Sequence, residues 1–464
     1  MPSTPTIQFL GGAGTVTGSM HLLRLGERRV LLDCGLLQGL KELRLRNWTD
    51  RVEDPRTLDA VILSHAHLDH TGYLPRLVRA GYRGPVYCTS GTEDLLHIML
   101  PDAAHLQEEE AEHANFKGFA KHAPALPLYS AADALEALDR LVPQPYGRDF
   151  PAVEGVTVRF RQAGHILGSA TVDLGLDGQG GRLVFSGDLG RSNQPILRDP
   201  EPVPEADVLL LESTYGNRRH SGDPANDLAR IVSETARRGG VLLIPAFAVG
   251  RTQTMVWLLR QLEQEGRIPV LHTYVDSPMA IDATEIYLRH AEDHDLDMER
   301  LMHQGSNPLT TRQYHLARSR DESRALNQLK GPVVIISASG MATGGRVLHH
   351  LKLRLPDPRT TVLLVGFQAA GTRGRSLQEG AKALRIQGAE VDVRARVETL
   401  DGLSAHADQG ELLDWLGRFQ DPPRRVYLVH GEPEGAAALA EVIRQRLPCQ
   451  VEVAQDRAIV PVIA

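Results

Sequence analysis

Over residues 1–212 the apolar positions come in short runs broken by glycine-rich turns, and from residue 213 they come as longer unbroken blocks alternating with amphipathic stretches. The first pattern predicts strands at 7–10, 20–25, 30–33 and 60–63, helices near 73–79 and 91–100, and strands again at 156–162, 171–176 and 182–186. Between them, the run Gln107-Glu-Glu-Glu-Ala-Glu112 reads as the solvated face of a helix over 103–115, and Pro124-Ala-Leu-Pro127 interrupts the chain. In the second pattern, strands at 241–245, 270–274, 333–336 and 361–365 alternate with helices at 252–264, 281–290, 346–355 and near 376–386. Such alternation predicts a parallel sheet covered on both faces. A closing segment carries strands at 425–429 and 451–453 around a helix near 435–445.

Candidate chemistry sits at the ends of the predicted strands. The hexapeptide His65-Ala-His67-Leu-Asp69-His70 places four metal donors in six positions directly behind the apolar run Asp59-Ala-Val-Ile-Leu-Ser64. Imidazole together with carboxylate suits zinc, with manganese or iron as competitors. Other strand-like runs end at or just before Asp33, His165, Asp188, Glu212 and His430. Strands buried between layers would bring these ends to one rim. Donor count then suggests His65, His67 and His165 on one metal, Asp69, His70 and His430 on a second, and Asp188 between them. Water between two such ions would lose a proton readily and become a nucleophile at neutral pH. Asp33 is expected to accept an imidazole N–H and fix its tautomer.

His406, in Gly402-Leu-Ser-Ala-His-Ala-Asp408, is surplus to that ligand count. It is read either as a general acid oriented by Glu212 or as a helix-start residue beside the N-cap candidate Asp408. The remaining histidines, His97, His105, His113 and His122 among them, are read as surface residues. Three loops of the alternating region each precede a helix and carry glycine, hydroxyls or arginine: Arg251 in the first, Ser337, Ser339, Thr343 and Arg346 in the second, Thr372, Arg373 and Arg375 in the third. Each singly reads as an ordinary strand-to-helix turn, and the three together as cradles for a chain of phosphates.

Composition narrows the class. A chain of 464 residues with 42% hydrophobic and 23% charged residues has the make-up of a soluble globular protein with two or three domains. The net charge of −7 gives no global basic field, so a polyanion would have to be held by local features and metals. Cys34, Cys88 and Cys449 form no Cys-x-x-Cys pair and point to a reducing compartment. No leader-like start and no membrane-length apolar run is seen, so a cytoplasmic protein is expected. Because Glu212 precedes the alternating region while His406 and His430 follow it, that region is expected as an insertion, with pieces at 1–212, 213–395 and 396–464.

These residues together resemble the metallo-β-lactamase superfamily, specifically its β-CASP branch of nucleic-acid hydrolases. Asp33, the His65–His70 hexapeptide, His165 and Asp188 match the four superfamily motifs, and Glu212, His406 and His430 the three branch motifs. The resemblance spans nearly the whole chain. It implies an α/β fold, an αββα sandwich with an inserted parallel-sheet domain, binding two divalent ions, Zn2+ first and Mn2+ as alternative. Histidine at the last motif, where DNA-repair relatives usually carry valine, points to RNA. Phosphodiester hydrolysis of single-stranded RNA in a cleft between domains is therefore expected, with 5′-phosphate and 3′-hydroxyl products. Internal cutting is favoured over 5′-to-3′ exonucleolysis, and a homodimer fits the resemblance. Some relatives add a KH region or a C-terminal domain, for which this chain has no room. Competing readings are a DNA-directed nuclease of the branch, a small-molecule thioesterase or lactamase, which leaves the inserted domain without a role, and a scaffold subunit, which the full donor set opposes.

Overall fold

The computed structural model describes residues 4–117, 124–178, 181–220 and 222–462, so His122 lies outside the described residues. Its contacts divide into two compact units, one of Met1–Gln194, Arg198–Arg219 and His406–Ala464, the other of Pro195–Leu197 and His220–Ala405. The joints near 219 and 405 lie later than the expected 212 and 395. Residues after Glu212 stay with the first unit because Ser213 N donates to the His430 carbonyl and Gln409 N to that of Arg218. The strand Arg396–Leu400 belongs to the second because it pairs in parallel with Thr361–Val365.

The first unit is a sandwich of two seven-stranded sheets. One runs Ile459–Pro461, Thr6–Gly11, Met20–Leu25, Arg28–Leu32, Ala60–Ile62, Val86–Cys88, Leu141–Pro143. The other runs Gln450–Val453, Arg425–Val429, Val208–Glu212, Gly181–Phe185, Ala170–Leu176, Val156–Gln162, Asp149–Val153. Alternate side chains of the two sheets, Ile7, Leu23 and Leu32 from one and Val158, Phe185, Leu210 and Tyr427 from the other, fill one buried core between them. The outer face of the second sheet buries Leu209, Leu211 and Leu428 beneath the helices Gln409–Leu416 and Pro433–Arg446. Helices Leu74–Arg79, Ser90–Lys117 and Ala131–Leu138 pack on one another beside the first sheet, whose edge strand Leu141–Pro143 meets the long one. Five of these elements escaped the reading of hydrophobic pattern: the capped helix Ala131–Leu138 and the short strands Val86–Cys88, Leu141–Pro143, Asp149–Val153 and Ile459–Pro461, too brief for a period to register.

The second unit holds an all-parallel six-stranded sheet in the order Tyr314–Leu316, His272–Asp276, Val333–Ser337, Val241–Pro245, Thr361–Val365, Arg396–Leu400. Three of its four inner strands, VVIIS, VLLIP and TVLLV, are buried along their whole length, as parallel strands covered on both sides must be. One difference from expectation is a hairpin, Ala383–Ile386 with Ala389–Asp392, where a helix was predicted to continue to 386. The helix stops at Gln378, Gly380 takes a positive φ, and Gln387-Gly388, both at positive φ, form the two-residue turn that suits twisted strands.

Candidate metal centre

Every donor of the first unit projects from a strand end on one rim. Asp33 follows Arg28–Leu32 and the His65 turn follows Ala60–Ile62, two strands paired in parallel at Leu32 and Ile62. The four-residue helix Leu68–Thr71 carries Asp69 and His70. From the opposite sheet come His165 after Val156–Gln162, Asp188 after Gly181–Phe185, Glu212 at the end of its strand and His430 after Arg425–Val429. Asp33 and His430 both adopt left-handed backbone, φ 56° and 46°, a conformation that needs external support in a residue with a Cβ. His430 obtains it from its N–H, which donates to the Gly12 carbonyl at 2.6 Å.

The side chains form two groups that share one carboxylate. His67 Nδ1 lies 3.1 Å from His65 Nε2 and 3.2 Å from His165 Nε2, and both of those nitrogens lie 3.6 Å from Asp188 Oδ2. On the other side His70 Nε2 lies 3.2 Å from His430 Nε2 and 3.3 Å from Asp188 Oδ1, while Asp69 Oδ2 is 3.5 Å from His430 Nε2. Ligands about 2.0–2.1 Å from one tetrahedral zinc stand about 3.3–3.4 Å apart. The donors therefore have both the chemistry and the spacing of a divalent-metal centre, and mutual hydrogen bonding alone would not converge so many imidazoles.

Partners behind the donors fix their orientation. Asp33 Oδ2 takes His70 Nδ1 at 2.6 Å and the Ser19 hydroxyl at 2.9 Å, and Oδ1 accepts the Ser64 N–H at 2.8 Å. That leaves His70 Nε2 aimed at Asp188. Ser64 Oγ also touches His65 Nδ1 at 3.0 Å, and Thr214 Oγ1 touches His430 Nδ1 at 3.2 Å. Ser19, Ser64 and Thr214 are the functional neighbours that reading the sequence passed over. Ser64 had a signal in its place beside His65, whereas Ser19 and Thr214 had none beyond a hydroxyl in a turn.

His406 Nδ1 stands 3.3 Å from both Glu212 oxygens and 3.9 Å from Asp188 Oδ2, its ring 4.5 Å from that of His165. Glu212 is fully buried, fixed by the Leu189 N–H at 2.7 Å. Asp408 caps the helix Gln409–Leu416 in a reciprocal capping box with Glu411, so the cap is made by Asp408 and leaves the His406 imidazole to the rim.

Burial drives the electrostatics and the charges then sort the groups. Desolvation pulls His67 down to about 4 and His65 well below its ordinary value, so both are neutral donors at pH 7. Burial opposes the charge on Asp188, but the imidazoles of His430, His70, His406 and His65 outweigh it and hold the carboxyl well below its usual range. Burial likewise works against protonated His406, yet Glu212 and then Asp188 raise it to about 9.

Family models match in three adjoining blocks: the metallo-β-lactamase superfamily over residues 13–246, the Beta-Casp domain over 252–377, and a Zn-dependent metallo-hydrolase RNA specificity domain over 390–454. The chain belongs to the β-CASP branch of the metallo-β-lactamase superfamily. As a member of that branch it is a metal-dependent hydrolase, and the donors above form groups whose chemistry and spacing suit a divalent ion. Ribonuclease TTHA0252 of Thermus thermophilus is 42% identical over 94% of this chain and 95% of its own length. Transcription termination factor FttA of Methanosarcina mazei is 33% identical over 95% of this chain and 69% of its length, and that of Methanocaldococcus jannaschii 32% over 95% and 69%. A solved structure of a protein of unknown function from Enterococcus faecalis, 15% identical, shares the fold with a TM-score of 0.51 over 99% of this chain and 100% of that one.

In the β-CASP unit the three loops follow adjacent strands of the sheet, Val333–Ser337, Val241–Pro245 and Thr361–Val365, at their C-terminal ends. Their polar groups have partners within the unit. Ser337 Oγ donates to the Asp276 carbonyl, and Ser339 and Thr343 share a hydroxyl hydrogen bond at 2.9 Å. Arg346 donates to Asp276 Oδ1 and to the carbonyls of Ala317 and Arg318. Thr372 caps the helix Arg373–Gln378, Arg373 donates to the carbonyls of Thr343 and Arg385, and Arg375 pairs with Glu379. Arg251 is buried at the start of its helix. Four of the histidines read as surface residues, His21, His290, His294 and His350, are in fact buried, in a strand, at two helix caps and in a helix, where a histidine carries no periodic mark of its side. Among the described residues no helix is long and apolar enough to cross a membrane.

Proposed function

We propose that this β-CASP hydrolase is a ribonuclease that cuts phosphodiester bonds of single-stranded RNA internally, with two divalent ions, Zn2+ first and Mn2+ as alternative. One arrangement carries the reading: the two oxygens of Asp188 face two separate donor groups while His406 stands beside the same carboxylate on a buried Glu212. His65, His67 and His165 would hold one ion and Asp69, His70 and His430 the other. Such a pair, when bound, supplies Lewis acidity toward the phosphoryl oxygens and acidifies water at neutral pH.

The chain's own residues do the rest. Asp33 holds His70 in the tautomer that presents Nε2, and Glu212 holds His406 by Nδ1 so that Nε2 is the atom to surrender a proton. As a water oxygen bonds to phosphorus and the P–O3′ bond breaks, that proton goes to the departing 3′ oxygen, leaving a 3′ hydroxyl on the upstream fragment and the phosphate on the 5′ end of the downstream one. The exposed hydroxyl of Thr343 and the half-buried Arg375 are the groups of the inserted unit assigned to the phosphate chain. A relative of nearly equal length named as a ribonuclease supports RNA as substrate.

The test is product mapping on one RNA supplied with free and with blocked 5′ ends, beside a DNA of the same sequence and a chromogenic ester. Internal cuts in both RNAs are expected. Cutting only from the free 5′ end would replace internal cleavage by exonucleolysis, and turnover of the ester with neither nucleic acid would overturn the ribonuclease reading.

A further inference from the structure

Arg51 is 1% exposed and, among the described residues, makes no ion pair. Its guanidinium is spent on backbone instead: Nη1 donates to the Gly35 carbonyl at 2.5 Å, and Nη2 to those of Gly18 at 2.6 Å and Leu10 at 3.2 Å, with the Tyr73 ring 5.4 Å away. Burial lowers its pKa to about 10, which leaves it charged at neutral pH. A buried cation held only by carbonyl dipoles is an uncommon arrangement and calls for a reason beyond packing.

Those three carbonyls belong to two loops that end on the same half of the metal centre: Leu10, at the end of the strand Thr6–Gly11, and Gly18 flank the first, and Gly35 lies in the second, after Arg28–Leu32. Beside Gly35, the Cys34 N–H donates to the His70 carbonyl at 2.7 Å. Beside Gly18, the Ser19 N–H donates to the Asp69 carbonyl at 2.8 Å and its hydroxyl to Asp33. Two residues past Leu10, the Gly12 carbonyl accepts the His430 N–H. The loops touch so closely that a Cβ on Gly35 would run into the Asp69 carbonyl, and one on Gly11 into the Arg51 guanidinium and the Gly18 carbonyl. On the other half, the His165 N–H donates to the Ser169 hydroxyl, in the turn before Ala170–Leu176, among none of the groups that Arg51 contacts.

We infer that Arg51 is a positioning residue for the Asp69, His70 and His430 half of the centre, drawing two loops onto one guanidinium and so setting chiefly the affinity of that half. This rests on the two-ion reading above. Without the guanidinium, the carbonyls of Leu10, Gly18 and Gly35 lose their common donor and the loops that carry Asp69, His70 and His430 lose their register. The other half keeps Ser169 on His165 and Ser64 on His65, and meets the change only through the bond of Ser64 to Asp33.

The experiment is a Zn2+ titration of the metal-stripped full chain by equilibrium dialysis, with melting of the metal-free protein alongside, for wild type, Arg51→Met, Arg51→Lys and the double variant Arg51→Met with His67→Ala. Wild type is expected to take two ions. Arg51→Met should keep one near wild-type affinity and bind the second roughly 10–100-fold more weakly, the range for lost orienting partners. Arg51→Lys should recover part of that loss, and the double variant should hold neither ion tightly. Wild-type affinity at both halves of Arg51→Met, or equal weakening of both in step with metal-free melting, would overturn the inference while leaving the two-ion reading intact. A wild type that takes only one ion would overturn that reading and this inference with it. Should Arg51→Met fail to fold, Arg51→Lys carries the same criterion, a loss falling chiefly on one ion.

Discussion

The rim of the first unit and the loops of the inserted one both gather polar side chains at the C-terminal ends of buried strands, and they use them in opposite ways. On the rim, six donors face one another and Asp188 at 3.1–3.6 Å, an arrangement whose chemistry and spacing suit cations among them. In the inserted unit, Arg346, Thr372 and Arg373 turn back onto their own backbone and onto Asp276. Convergence of like groups marks a place built for a ligand, whereas internal pairing marks a loop that has been made rigid. Similar residue types at similar topological positions therefore do not carry equal weight as evidence for binding.

That contrast can be broken by substitution. The largest effect is expected for His67→Ala, which removes the donor common to His65 and His165. Metal content should fall by one ion per chain and turnover should vanish with it, and full metal content would dissolve the grouping. His406→Ala comes next: both ions stay and turnover falls about 10²–10⁴-fold, the usual share of a general acid. Metal loss in that variant would move His406 among the ligands. Asp33→Asn should weaken metal binding about 10–100-fold by loosening the His70 tautomer, and an unchanged affinity would deny Asp33 that role. Smallest for activity is Arg346→Met. Its cost of about 1–3 kcal/mol should appear in denaturant unfolding, since Asp276 loses a donor in a buried site, while KM for RNA stays within a few-fold. A large rise in KM with unchanged stability would return Arg346 to the substrate.

Much of the centre could be read in advance because its densest motif, His65 to His70, follows a strand at a spacing that no packing requirement imposes. Asp188 and His430 were legible for a related reason: each ends a run of buried apolar residues, and strand ends share a rim. The strands VLLLE, VLLIP, VVIIS and TVLLV declared themselves by length and branching. What stayed hidden depends on contacts across long stretches of chain. The hydroxyls of Ser19 and Thr214 matter only because of where Asp33 and His430 arrive, and Arg51 only because three distant carbonyls meet there. The hairpin after Gly380 was missed because Leu384 and Ile386 fit either a helix or a strand when taken alone.

The interleaving of the first unit has a bearing on how the molecule comes into being. Strand Arg425–Val429 sits between Val208–Glu212 and Gln450–Val453, and Ile459–Pro461 closes the opposite sheet against Thr6–Gly11. A chain emerging from the ribosome thus carries its first donors for most of its synthesis with His406 and His430 still unmade. On the proposed assignment, hydrolytic competence waits until the segment from His406 to His430 has been made and has paired beside Val208–Glu212.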